Sequence, residues 1–278
     1  MTLPNEIKDA FFARPLDAHK RSVGTVTVVG GSGHYIHAPV IAGLGARAAG
    51  AGLVQLVVPD ASRIAAGALL PEATFTKLSP TCVPPKANVM VAGMGLGISD
   101  NSRVLISRLL SGSCGRFVLD ADALHILSEW YGKNDGYDPA VGQELVLTPH
   151  EGEAARLLGW EREKVISNRL DAAKAIVDRY GATVVLKGAR TLVVSSDASR
   201  VYWNECGNPF MAMGGMGDLL AGVIGARWAY LKGDPFLAAA AGVYLHSVAS
   251  DELVAREEDP SLVNTAAHIG SLRVRLDR

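Results

Sequence analysis

Cysteine is scarce in this chain. Cys82, Cys114 and Cys206 are odd in number and far apart, which fits neither a disulfide framework nor a zinc cluster and points to reduced thiols in a cytosol. Charge of one sign is also missing: 27 Lys and Arg against 28 Asp and Glu leave a net charge of −1, mixed along the sequence, so no basic face is offered to nucleic acid or an anionic membrane. No run is both apolar and long. The most apolar late stretch, Pro235 to Ser250, is rich in alanine, too short to span a bilayer comfortably, and reads as a buried helix. Met1 to Arg21 lacks the uninterrupted apolar core of a signal peptide. A soluble, cytoplasmic protein is expected. Aromatic residues make up only 6%, yet 49% of the 278 residues are hydrophobic, enough for one large core. With no internal repeat, low-complexity tract or interdomain linker, one domain over residues 1–278 is expected, and Thr81 to Lys86 and Gly132 to Pro139 read as surface loops.

What is present is an alternation of strand and helix signals. Thr25 to Val29 is a β-branched run ending in Gly30-Gly31-Ser32-Gly33, and Pro39 to Ala49 reads as a small-residue helix. Leu53 to Val58, Val89 to Ala92, Phe117 to Leu119, Leu145 to Leu147 and Thr183 to Leu186 supply further buried strands, with a helix marked by Ile166, Leu170, Ala173 and Val177 before the last. Thr191 to Val194 and Arg200 to Trp203 read as a hairpin across the polar turn Ser195 to Ser199, adding an antiparallel edge. From Leu219 the chain is mostly helical, through Tyr230, again from Pro235 to Val254, and from Leu262 to Leu276. The pattern predicts an α/β fold of three α/β/α layers with a mostly parallel central sheet.

In such sheets ligands bind beyond the carboxyl ends of the strands, where the glycine loops fall. Neither common nucleotide motif is complete. The last glycine of G-x-G-x-x-G is replaced by Ile36, with no suitable acidic residue until Asp60, and no G-K-[ST] follows any glycine loop.

The stretch Gly207-Asn208-Pro209-Phe210-Met211-Ala212-Met213-Gly214-Gly215-Met216-Gly217-Asp218 carries more chemistry. Its glycines allow a tight turn, and the apolar run beyond it reads as a helix with an uncapped first turn, a ready phosphate site. Asp218 stands there as a carboxylate that would repel a phosphate. It either complements the helix dipole or acts as a base, taking a proton from a hydroxyl that attacks phosphorus.

Two other segments follow buried strands. In Thr148-Pro149-His150-Glu151-Gly152-Glu153, Thr148 as N-cap and Glu151 three residues on make a capping box, with His150 projecting at the ligand end of the sheet. Glu151 and Glu153 are either solvated or help to order a metal on nucleotide phosphates. Lys187-Gly188-Ala189-Arg190-Thr191 is either a hairpin corner or a nucleotide contact, and Asp120 and Asp122 are either metal-linked carboxylates or a helix cap.

Taken together, Gly30-Gly31-Ser32, Ala38-Pro39, Gly93-Met94-Gly95-Leu96, Leu119-Asp120-Ala121-Asp122-Ala123-Leu124, Leu147 to Glu153, Leu186-Lys187-Gly188 and Gly214 to Asp218 closely resemble the ADP- or ATP-dependent NAD(P)H-hydrate dehydratases, which have the ribokinase-like fold. The resemblance runs from about His19 to near the C-terminus. One departure is Ile36-His37, where members commonly show proline and glycine before the alanine.

The resemblance implies a hydro-lyase that repairs hydrated NADH or NADPH at the expense of ADP or ATP with Mg2+, releasing phosphate, and AMP when ADP is used. It implies that Ala38, Gly95, His150 and Asp218 contact the hydrated cofactor, that Lys187, Gly188, Ala189, Arg190, Thr191 and Gly217 hold the nucleotide, and that Asp218 is the catalytic base. No residue is assigned as a metal ligand. ADP is expected to serve better than ATP, the assembly is expected to be a homo-oligomer, a tetramer by resemblance, and a separate epimerase is expected as pathway partner. The alternatives are a kinase of the same fold acting on a thiamine-precursor alcohol and a non-catalytic nucleotide-binding regulator.

Overall fold

The computed structural model describes residues 3–112, 114–131 and 142–278. Among them nine strands form one sheet: β1 Thr25–Val29, β2 Leu53–Val58, β3 Thr74–Lys77, β4 Val89–Ala92, β5 Arg116–Leu119, β6 Glu144–Leu147, β7 Thr183–Leu186, β8 Leu192–Val194 and β9 Val201–Trp203. Their order is β3-β2-β1-β4-β5-β6-β7-β8-β9. The first seven are parallel, and β8 and β9 are the expected antiparallel edge.

The central strands are apolar on both faces because both are covered. Val26 and Val28 of β1 enter one core, with α1 Ala38–Ala48, α8 Met216–Leu231, α9 Pro235–Ala255 and α10 Leu262–Leu276, while Val29 enters the other. That second core is built with α3 Asp100–Leu110, α4 Asp122–Tyr131, α5 Glu151–Leu158, α6 Arg162–Ser167 and α7 Arg169–Tyr180. Helix α2, Asp60–Leu69, adds Ala66 to the first core. The three-layer α/β/α expectation is met.

Four details differ from the sequence reading. The single helix expected before β7 is three, α5, α6 and α7. Strand β3 was not predicted, because Thr74-Phe75-Thr76-Lys77 lies at an edge with both ends exposed and carries no apolar run. Helix α8 begins at Met216, three residues before the apolar run. Lastly, Thr148 is not a helix cap, as detailed below. The loop expected at Gly132 to Pro139 lies outside the described residues.

Helices α1 and α8 touch backbone to backbone. A Cβ on Gly45 would lie 2.1 Å from the Leu219 carbonyl oxygen, and one on Gly222 would lie 1.8 Å from that of Ala42. Only glycine permits this approach. The contact sets α8 directly on the helix that follows β1.

Candidate active site

The strand order reverses in sequence between β1 and β4, which opens a crevice at their carboxyl ends. Backbone hydrogen bonds carry the parallel pairing just past the strand ends: Gly93 N–H donates to Val29 O, Asp120 N–H to Ala92 O, Thr148 N–H to Leu119 O, and Lys187 N–H to Pro149 O. Gly93, Asp120, Thr148 and Lys187 therefore leave the sheet at the same carboxyl end of its strands.

Ala38 and Gly95 meet at the crevice. A Cβ on Gly95 would lie 3.1 Å from that of Ala38 and 2.5 Å from that of Tyr35, and both Ala38 and Gly95 are half-buried. His37, part of the departure from the family pattern, takes the N-cap position of α1 without a side-chain cap bond.

At the start of α8, Gly215 adopts φ 91° and no side chain caps the helix. The amides of Gly217 and Asp218, in the first turn, can find no partner within the helix and are left for a ligand. Asp218 lies partly buried beside them. Burial, and then the neighbouring Asp120, push its carboxyl up to about 7, against the opposing pull of Lys187 and with further help from Glu153 and Asp122.

Lys187 is the centre of a buried cluster. Its Nζ is 2.7 Å from Asp120 Oδ1 and 3.8 Å from Glu153 Oε2, with the lysine side chain 17% exposed and Asp120 only 1%. Burial works against the ammonium, but Asp120, Glu153 and Asp218 outweigh it and hold its pKa above the usual lysine value. Burial raises the Glu153 carboxyl, with Lys187 opposing. The same Nζ lies 3.3 Å from the point where a Cβ would sit on Gly217.

The segment before α5 is capped two residues later than its sequence suggests. Thr148 is fully buried, and its N–H and Oγ1 both donate to Leu119 O. With Thr148 committed to the sheet, His150 becomes the N-cap: its Nδ1 accepts from the amides of Gly152 and Glu153, and its own N–H donates to Glu153 Oε2 at 2.8 Å. Accepting at Nδ1 leaves the proton on Nε2, which lies on a side chain 58% exposed, 3.6 Å from Glu153 Oε1. His150→Asn is expected to keep the cap, since asparagine serves well there, while raising KM for substrate but not for nucleotide. His150→Ala should in addition lose about 1 kcal/mol of stability. Equal KM values in folded His150→Asn and the parent would confine the residue to capping.

The remaining nucleotide candidates form the turn after β7. Gly188, Ala189 and Arg190 are exposed, Arg190 pairs with Glu205 at 3.0 Å, and Thr191 Oγ1 donates to Gly188 O at 3.1 Å. The carboxylates left open by sequence go to different partners. Asp120 takes Lys187, and Asp122 accepts from Gly97 N–H at 2.7 Å. Glu151 pairs with Arg169, which also donates to Leu186 O. Sequence reading missed the Asp120–Lys187 pair, although both residues directly follow buried parallel strands. Among the described residues no group of three or more His, Cys, Asp or Glu is placed to hold a metal, and no helix is long and apolar enough to cross a membrane. A cavity of about 600 Å³ lined by residues including Cys82, Met90, Arg108 and Cys114 contains none of the candidates.

A mostly parallel sheet covered on both faces, with an uncapped helix start and a carboxylate beside it, places the chain in the class of ribokinase-like folds. Residues 26–269 match the family model for NAD(P)H-hydrate dehydratase, and the chain belongs to that family. It is 40% identical over 245 residues to an ADP-dependent (S)-NAD(P)H-hydrate dehydratase of Neisseria meningitidis serogroup B, covering 87% of this chain and 81% of the relative. It is 37% identical to a bifunctional NAD(P)H-hydrate repair enzyme of Gloeobacter violaceus, spanning 48% of that protein's length. Among solved structures, an ADP/ATP-dependent NAD(P)H-hydrate dehydratase of Bacillus subtilis, co-crystallised with ATP and Mg2+, superposes with a TM-score of 0.84 at 25% identity, covering 98% of this chain and 96% of that one.

Proposed function

We infer that this chain, working as one domain, dehydrates the hydrated form of NADH or NADPH at the expense of a nucleotide. The observation that carries the reading is Asp218, a carboxylate pushed up to about 7 at an uncapped helix start, in a chain of this family. A base poised near neutrality suits the removal of a hydroxyl proton. The hydrated cofactor carries a hydroxyl on the carbon next to the ring nitrogen, and hydroxide leaves badly. Asp218 takes the hydroxyl proton as the oxygen attacks the terminal phosphorus of the nucleotide, and the bond to the departing nucleotide breaks. The amides at Gly217 and Asp218 face the charge of the transferring group. The nitrogen lone pair then expels phosphate from the ester, and loss of a proton from the neighbouring carbon restores the double bond.

Ala38, Gly95 and His150 are proposed to seat the hydrated cofactor, and Lys187 to Thr191 with Gly217 the nucleotide. Their common position at the carboxyl end of the strands supports the division. Mg2+ is proposed to arrive on the nucleotide phosphates, as suits an ion that keeps its waters and takes few protein ligands. A cytoplasmic homo-oligomer, tetrameric by resemblance, with a separate epimerase supplying the required epimer, completes the proposal.

The thiamine-precursor kinase reading gives way because the matched family and relatives are dehydratases. Incubating the protein with hydrated NADH, Mg2+ and ADP should restore the absorbance of reduced nicotinamide and release phosphate and AMP. A stable phosphate ester without that absorbance would favour a kinase instead. ADP is expected to support a higher rate than ATP, in line with the Neisseria relative's name. Side-by-side initial rates favouring ATP would reverse that preference.

A further inference from the structure

We propose that Asp120 is a positioning residue whose carboxylate holds the Lys187 ammonium away from Asp218, leaving Asp218 as an unpaired base. Lys187 Nζ comes within 3.3 Å of the Cβ position of Gly217, the neighbour of Asp218, and Asp218 is one of the carboxylates that favour the charged ammonium. The hydrogen bond of the ammonium nevertheless goes to Asp120 Oδ1 at 2.7 Å, and Glu153 Oε2 stands 3.8 Å from it. Asp120 is held for this task. Its N–H donates to Ala92 O, its carbonyl accepts from Ala123 N–H, and its side chain is 1% exposed.

A lysine paired with the base would stabilise the carboxylate and weaken it as a proton acceptor, since an opposite charge within ~4–6 Å lowers a carboxyl pKa by about 1–3 units. The charged groups that act on Asp218 are Asp120 after β5, Asp122 on α4, Glu153 on α5 and Lys187 after β7, three carboxylates and one ammonium. One cation among four carboxylates, Asp218 included, can hydrogen-bond closely to only some of them, and Asp120 takes it. The sequence hides this arrangement, because the pair is joined only by the order of β5, β6 and β7.

The inference rests on Asp218 being the base, and the experiment separates the two. The pH dependence of kcat/KM for hydrated NADH at saturating ADP is measured for the parent, Asp120→Asn and Glu153→Gln, with folding checked by circular dichroism. In Asp120→Asn the acid limb should move down by about one pH unit or more, as the direct push of Asp120 is lost and Lys187 turns to Asp218, and the plateau should fall by about 10-fold. Glu153→Gln, which keeps the helix cap because glutamine also serves at N3, should move the limb the same way by less. Asp120→Glu should return it toward the parent. In a Lys187→Met background the Asp120→Asn displacement should shrink to less than about half, as a double-mutant cycle requires of a shared interaction. An unmoved or upward-moved limb in Asp120→Asn overturns the proposal, as does an undiminished displacement without Lys187. If Asp120→Asn does not fold, an unmoved limb in Glu153→Gln overturns it alone. Parent-like turnover in Asp218→Asn would instead remove the base itself.

Discussion

Asp218→Asn is expected to lower kcat by ~100- to 10,000-fold, the range of a lost general base, while nucleotide affinity stays close to that of the parent. The same change should stabilise the empty protein at alkaline pH. The folded carboxyl is raised from the ordinary 3.8 to about 7, so the charged form is disfavoured by folding. The penalty is absent below the unfolded value, grows as pH rises between the two, and is complete above about 7, with a ceiling of about 4 kcal/mol. The variant should therefore melt above the parent at pH 8, with the gain fading toward pH 4. Parent-like turnover would remove Asp218 from the chemistry, and a stability difference independent of pH would remove the perturbed carboxyl. A stability gain with a loss of rate is what a site that stores unfavourable charge for catalysis should give.

The second large effect lies far from the site. Arg227 on α8 is fully buried and bonded to Asp277 at 3.1 and 3.2 Å and to Ala10 O, with Phe11 and Tyr230 rings 4.9 and 5.1 Å from its guanidinium. Arg273 bonds the same carboxylate at 3.3 Å, and Arg14 lies close enough for Arg273 to help depress it, after burial. Asp277→Asn leaves these guanidinium groups without their shared countercharge. Breaking a buried pair from one side costs about 3–5 kcal/mol, or roughly 10 °C in Tm for a chain of this size. The double variant Arg227→Met, Asp277→Leu should recover part of the loss, since the fully buried guanidinium leaves with its carboxylate and only the less deeply buried Arg273 loses a partner. A Tm for Asp277→Asn within about 2 °C of the parent would show that the pair contributes little.

The central strands were legible because a parallel sheet covered on both faces requires uninterrupted apolar runs, and β1, β4 and β7 supply them. β3 was not, since an edge strand half in solvent needs no such run. The segment Thr148 to Glu153 contains two overlapping capping registers, Thr148 with Glu151 and His150 with Glu153. Threonine is the better cap by preference, but here its polar groups are taken by Leu119 O, a sheet contact that local spacing cannot reveal. The place of Asp218 in the first turn of an uncapped helix was readable because glycine, carboxylate and helix are contiguous. The Asp120–Lys187 pair was not, because 67 positions separate its members and only the strand order brings them together.

The glycine-mediated contact of α1 with α8 has a consequence for motion. Ala38 opens one of these helices and Asp218 lies in the first turn of the other, while Gly45 and Gly222 bind their middles too closely for either to slide alone. The proposed cofactor seat and the proposed base should therefore breathe as one cooperative unit. In native-state hydrogen exchange, the central amides of both helices should release their protons slowly and with a common opening free energy, later than those of the exposed turn at Gly188 to Arg190.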